Sequence, residues 1–241
     1  MEEHYLVFDI ETIGQPIEQF DHAQQEYLVR GAQTDEERQR KIGEMALSPL
    51  TGRIVCIGMQ FMKRDGTTWN ATPVAYCVDD TLSGDATQDS TLPSGARCIR
   101  GTETAMLDFF WRALVKYPGI TLVSFNGRGF DAPYLMLRSA LLGIRPARNL
   151  MDGTKFSYRG HVDLADQLSF FGGGNTGPMR RFNFDFYAKA FGIVSPKAEG
   201  VDGSMVGNLF ADGRIDDIAE YCLRDVKATW ELFLKWDTLL R

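Results

Sequence analysis

The first apolar run of this chain, Tyr5-Leu6-Val7-Phe8, is broken by two acids, Asp9 and Glu11. A short apolar run of this kind predicts a buried strand. Strand side chains alternate faces with a period of two, so both carboxylates point to the same side. Residues 17–47 are polar and helix-prone, with apolar positions at Ile17, Phe20, Tyr27, Leu28, Ile42 and Met45. They predict two short helices forming an insertion. Strands are expected over Arg53–Met62 and Pro73–Val78 from their β-branched and apolar content. Residues 79–95 then turn polar and predict a long loop. A helix opens at Thr102 and runs to about Lys116, with Leu107, Phe110, Trp111 and Leu114 on one face. Pro118-Gly119 resets the chain before a buried strand at 120–125, and a helix begins at Asp131 with Pro133 in its first turn. Further helices are predicted at Leu164–Phe170, Phe182–Phe191, Ser204–Phe210 and Ile215–Trp236.

Three consecutive strands joined by loops form an antiparallel meander, whereas strands separated by a helix return parallel. The expected fold is therefore α/β: a mixed sheet, antiparallel over strands 1–3 and then parallel, flanked by helices in a single domain spanning 1–241. At 44% apolar and 24% charged, the composition is that of an ordinary globular protein. No apolar run approaches the roughly 20 residues of a membrane helix, and the start carries no basic, apolar leader. No membrane association and a cytoplasmic location are expected. Cys56, Cys77, Cys98 and Cys222 are widely separated with no C-x-x-C spacing, which points away from zinc and redox chemistry.

Charge changes the picture locally. The net charge is −6, yet residues 128–197 hold ten Lys or Arg against five Asp or Glu, a balance of +5. The first 50 residues hold eleven acids and four bases. The middle segment is thus suited to meet a polyanion while the acidic remainder stays in solvent, although ordinary surface charge explains the same numbers.

The chemistry concentrates at three acidic stations. Two acids on one face of a buried strand repel each other and are costly unless paired or metal-bound. Asp131, alone, reads as a helix N-cap. Its setting, Ser124-Phe-Asn-Gly-Arg-Gly-Phe-Asp131, instead delivers an acid from a strand end through a glycine-containing turn. Asn126 is expected to hold that turn. Tyr221 and Asp225, four apart, share a helix face. Four carboxylates brought together make a site for hard divalent cations. His161 and Asp163 are kept as supporting residues. The glycine-rich stretch 172–178 lacks the ending of a P-loop. Arg180, Arg181, Lys189 and Lys197 are the basic groups expected to meet a substrate.

The segments Phe8-Asp-Ile-Glu-Thr-Ile-Gly14, Ser124 to Asp131 and Tyr221-Cys-Leu-Arg-Asp225 together resemble the DEDDy class of 3′-5′ exonucleases in the ribonuclease-H-like superfamily. They are most similar to stand-alone proteins related to the proofreading exonuclease of family B DNA polymerases. Ser48 to Gly58, His161-Val-Asp-Leu164 and Gly203-Ser-Met-Val206 extend the resemblance. It implies that Asp9, Glu11, Asp131 and Asp225 hold two Mg2+ or Mn2+ ions about 3.5–4 Å apart, which activate water and stabilise the leaving 3′ oxygen. Tyr221 would orient the attacking water. A phenol with a reference pKa near 10 is a poor base at neutral pH, so it would act by hydrogen bonding. The backbone around Thr12, Ile13 and Gly14 would lie against the terminal nucleotide, with Asn126, Phe130, Arg180, Arg181 and Lys197 as further substrate contacts. The expected substrate is the 3′ end of single-stranded DNA, with RNA ends or a catalytically silent binding module as alternatives. A separate polymerase or repair partner is expected, since nothing after Trp236 would form a polymerase domain. The insertion and the 79–95 loop either shape the substrate channel or decorate the surface.

Overall fold

A computed structural model describes residues 4–172, 182–195 and 203–241. Among them, seven strands form one mixed sheet: β1 (His4–Gly14), β2 (Gly52–Asp65), β3 (Thr68–Val78), β4 (Gln88–Thr91), β5 (Arg97–Gly101), β6 (Thr121–Ser124) and β7 (His161–Asp163). Their spatial order is β4-β5-β3-β2-β1-β6-β7. The β1–β2 and β2–β3 pairs are antiparallel, whereas β1–β6 and β6–β7 are parallel, matching the expected meander followed by crossovers.

The far edge departs from expectation. Part of the 79–95 loop is strand β4, and β5 was not foreseen at all. β5 runs parallel to β3, with β4 antiparallel outside it. Neither carries a readable alternation: β4 is Gln-Asp-Ser-Thr, and β5 spans only five residues. Backbone pairing to an existing edge fixes them, with Arg97 donating to both Asp89 oxygens at 2.6 and 2.8 Å.

The two faces of β1 are set by its alternation. Tyr5 packs on Trp230 and Phe233, with ring centroids 5.6 and 4.9 Å away, so the odd positions face helix α8 (Ile215–Leu239). Phe8 packs on Phe110 at 5.8 Å, so the even positions face helix α3 (Glu103–Lys116). Asp9 and Glu11 therefore sit on the α8 side, in a layer that is otherwise apolar.

The insertion comprises α1 (His22–Leu28) and α2 (Asp35–Glu44), neither with a buried residue. Caps hold them instead: Asp21 and Gln24 form a capping box, and Thr34 accepts from the Glu37 N–H. Buried Ile17 and Met45 pin the segment to the domain. The chain re-enters β2 at Gly52, where an added Cβ would strike the Tyr134 hydroxyl and lie 2.8 Å from the Ile13 carbonyl oxygen. Only glycine fits that approach.

Helix α4 (Asp131–Leu141) is locked to α3 by Arg138, which donates to both Glu103 oxygens at 2.9 and 2.6 Å with both side chains largely buried. The shorter helices are α5 (Leu164–Leu168), α6 (Phe184–Ala190) and α7 (Val206–Ala211). No described helix is long and apolar enough to cross a membrane.

Candidate metal centre and cleft

Three elements deliver acids to one place. Asp9 and Glu11 come from β1, Asp131 from the first turn of α4, and Asp225 from α8. Asp131 does not cap its own helix. Its Oδ1 accepts the Ile10 N–H of β1 at 3.0 Å, tying the α4 terminus to the strand between the two acids. Asp9 and Glu11, with the Cys222 thiol, each bring one donor atom within 4.8 Å of the others. Glu11 and Asp131 are buried, and Asp9 is partly so.

Electrostatics reports the same convergence. Burial raises the Asp9 carboxyl well above its usual range, and the charges of Asp131, Asp225 and Glu11 raise it further; a Cys222 thiol contact opposes them. Glu11 is raised by burial and then by Asp225 and Asp131. Burial also raises Asp131, against the stabilising N–H groups of Asp131 itself and Ile10. Tyr221 is held far above an ordinary phenol by burial and by Asp225, Glu11 and Asp9, and its hydroxyl is hydrogen-bonded with Asp225. Carboxylates that raise one another in a buried setting form a strongly negative, oxygen-rich pocket, the donor chemistry that hard divalent cations need. The residues present fit such ions.

A second network fixes the turn that carries Asp131. Fully buried Asp163, at the end of β7, accepts the N–H groups of Asn126 at 2.9 Å, Arg128 at 2.8 Å and Ala165 at 3.0 Å. Asn126 takes a positive φ of 63°, a conformation asparagine tolerates better than most residues. His161 lies 2.7 Å from the Ser124 hydroxyl and is kept neutral, its pKa lowered to about 3 by burial and by Arg128 and Arg148. Both residues thus support the turn.

The cleft over the acids has two lobes, of about 260 and 560 Å³, sharing Asp9, Phe125, Asn183 and Phe184. Glu11, Tyr221 and Asp225 line the first; Asn126, Phe130 and Asp131 line the second. The Thr12 hydroxyl donates to the Ala46 carbonyl at 2.9 Å. Gly14 packs against Met45, and Ile13 against the core. Arg180, Arg181, Lys197 and the stretch 173–178 lie outside the described residues.

Residues 83–240 match a family described as predicted 3′-5′ exonuclease related to the exonuclease domain of PolB. The chain belongs to that family. The match holds Asp131, Tyr221 and Asp225; Asp9 and Glu11 precede it. Among solved structures, the family B DNA polymerase of the hyperthermophilic archaeon Pyrobaculum calidifontis aligns with a TM-score of 0.56 at 19% identity, over 97% of this chain and 24% of that one. At that identity the likeness is one of fold, a ribonuclease-H-like sheet with flanking helices, and this chain spans about a quarter of the polymerase. No curated protein sequence matches.

Sequence reasoning missed two features of the site. Phe125, at the end of a strand expected to be buried, and Phe184, within a predicted helix, reach the cleft wall, and Asn183 reaches it from the N-cap of α6. The four cysteines are all buried, as the apolar patterns around Cys56 and Cys222 lead one to expect, but their proximity is not legible. Cys56 and Cys77 are paired across β2 and β3 with sulfurs 3.3 Å apart, and the Cys222 thiol lies 3.7 Å from Asp9 Oδ2. Strand pairing makes these neighbours, and no local spacing reveals it.

Proposed function

We propose that this protein is a divalent-metal-dependent exonuclease that hydrolyses the terminal phosphodiester of single-stranded DNA from the 3′ end, releasing nucleoside monophosphates. The observation that carries this reading is the convergence of Asp9, Glu11, Asp131 and Asp225 on one cleft with Tyr221 beside Asp225. These four carboxylates would hold the two ions. Bound there, Mg2+ or Mn2+ would activate water and stabilise charge on the leaving oxygen.

The protein residues do the rest. Four negative side chains exclude a phosphodiester until they are neutralised, so substrate and cation binding are coupled. Tyr221 holds its proton firmly and is a hydrogen-bond donor, not a base. It would orient a nucleophilic water against the scissile phosphate. Asp131, anchored to Ile10, keeps α4 from moving away as charge changes.

The test uses 5′- and 3′-labelled DNA and RNA strands of equal sequence, with Mg2+ or Mn2+. Progressive shortening from the 3′ end, lost in Asp9→Ala and Asp225→Ala, is the expected outcome. Activity surviving in both purified, folded variants would sink the assignment. Faster trimming of RNA would move the substrate class and leave the chemistry standing.

A further inference from the structure

Behind the carboxylates of β1 lies a sulfur that the proposed hydrolysis does not use. Cys222, fully buried on α8, brings its Sγ to 3.7 Å from Asp9 Oδ2 and 3.5 Å from the Asp9 carbonyl oxygen. The sulfur reaches this depth because the β2 residue paired with Asp9 is Gly58, where an added Cβ would lie 2.8 Å from Cys222 Sγ. Glu11 completes the set, since one donor atom from each of Asp9, Glu11 and Cys222 lies within 4.8 Å of the others. Among the described residues, no other His, Cys, Asp or Glu side chains form such a group. Two oxygens and a sulfur are not the donors of a Mg2+ site, which is built from oxygen. They suit a borderline cation such as Zn2+ or Co2+, which takes thiolate and carboxylate together. A tetrahedral Zn2+ holds sulfur at about 2.3 Å and oxygen at about 2.1 Å, which sets the two donors about 3.6 Å apart. The 3.7 Å between Cys222 Sγ and Asp9 Oδ2 matches that spacing.

We propose that Cys222 is a metal ligand, and that Asp9, Glu11 and the Cys222 thiolate form a site for a thiophilic divalent cation, Zn2+ foremost. This goes beyond the nuclease reading and rests only on its use of Asp9 and Glu11 as ligands. Binding exchanges the S–H bond for a sulfur–metal bond and releases one proton to solvent, with no change of oxidation state. Asp9 and Glu11 also line the lobe of about 260 Å³, which admits the ion and leaves its remaining position to solvent. Cys56, hydrogen-bonded with Cys222, supports the bound sulfur from behind. Because the two kinds of ion share Asp9 and Glu11, Zn2+ displaces the harder cations instead of adding to them.

The test titrates the metal-free protein with Co2+, a spectroscopic substitute for Zn2+, and follows the near-ultraviolet sulfur-to-cobalt charge-transfer band that a thiolate ligand produces. Wild type is expected to develop the band and to lose it when Zn2+ is added. Cys222→Ser should show no band and bind Zn2+ about a hundredfold more weakly, while binding Mn2+ as wild type does. Cys222→Ala, which buries no polar atom, gives the same reading independently of how the core takes a hydroxyl. Cys98→Ser, altered on β5, should keep the band. Absence of the band in wild type, or its survival in both Cys222 variants, overturns the proposal. So does equal Zn2+ affinity of wild type and both variants. Mononucleotide release in Mg2+ or Mn2+ without a cobalt band would leave the nuclease reading standing and remove Cys222 from the metal. A band without release would do the reverse.

Discussion

Replacing Glu11 with glutamine should stabilise the metal-free protein while removing its response to divalent cations. Glu11 is buried and its carboxyl is raised by burial and then by Asp225 and Asp131. Asp9 and Glu11 bring donor atoms within 4.8 Å. Two unit charges at that distance repel by roughly 3.5 kcal/mol at an effective permittivity of 20. Screening and partial protonation reduce the gain to about 1–2 kcal/mol, or roughly 2–8 °C in Tm for a chain of this size. The sign depends on pH. A carboxyl raised in the folded state favours folding below its unfolded pKa, about 4.3, and loses that contribution as pH climbs through the folded value. The variant should therefore match wild type near pH 4 and exceed it at pH 8. Differential scanning calorimetry in EDTA, then with Mn2+ added, reads both effects. Wild type should gain Tm with Mn2+, and the variant much less. A lower metal-free Tm for Glu11→Gln at pH 8 would refute the reasoning, because it would mean that the protein itself neutralises Glu11.

Other outcomes follow from the same structure. Tyr221→Phe should lower kcat about tenfold with little change in KM, the cost of one lost donor to an oriented water, as measured by steady-state release of mononucleotides. His161 is held neutral, with its pKa near 3 against about 6.5 when unfolded, so it contributes stability above pH 6.5 that is lost as pH falls. Between pH 8 and pH 5 wild type should lose about 2 kcal/mol more than His161→Asn in urea titrations, and parallel profiles would disprove this. Glu103→Ala should destabilise by about 3–5 kcal/mol, since it strands the buried Arg138 guanidinium between α3 and α4. Equilibrium unfolding checks this, and a loss under 1 kcal/mol would show the pair to be dispensable.

Much of the architecture was legible because local patterns carried it. The apolar runs gave β1, β2, β3 and β6, and the stripe Ile218, Cys222, Val226 and Phe233 gave the long α8. β4 and β5 were not legible, because a short edge strand borrows its conformation from the neighbour it pairs with. The site divides in the same way. Asp9 and Glu11 stand out locally, as charges inside an apolar strand. Asp131 does not, since an acid at a helix start has a common capping role. Its bond to Ile10, 121 residues away, distinguishes the two. Asp163, expected as a supporting residue, holds the turn by accepting backbone N–H groups from it.

By itself, then, the sequence determined which residues carry charge where charge is costly, and the order in which strands and helices follow. Periodicity is a local property, and it survives in one dimension. Only the tertiary structure decided that β1, α4 and α8 bring their acids to one cleft, that Cys56 faces Cys77 across two strands, and that Phe125 and Phe184 line the same cleft as those acids. Those relations depend on strand order and helix packing, which no spacing along the chain records.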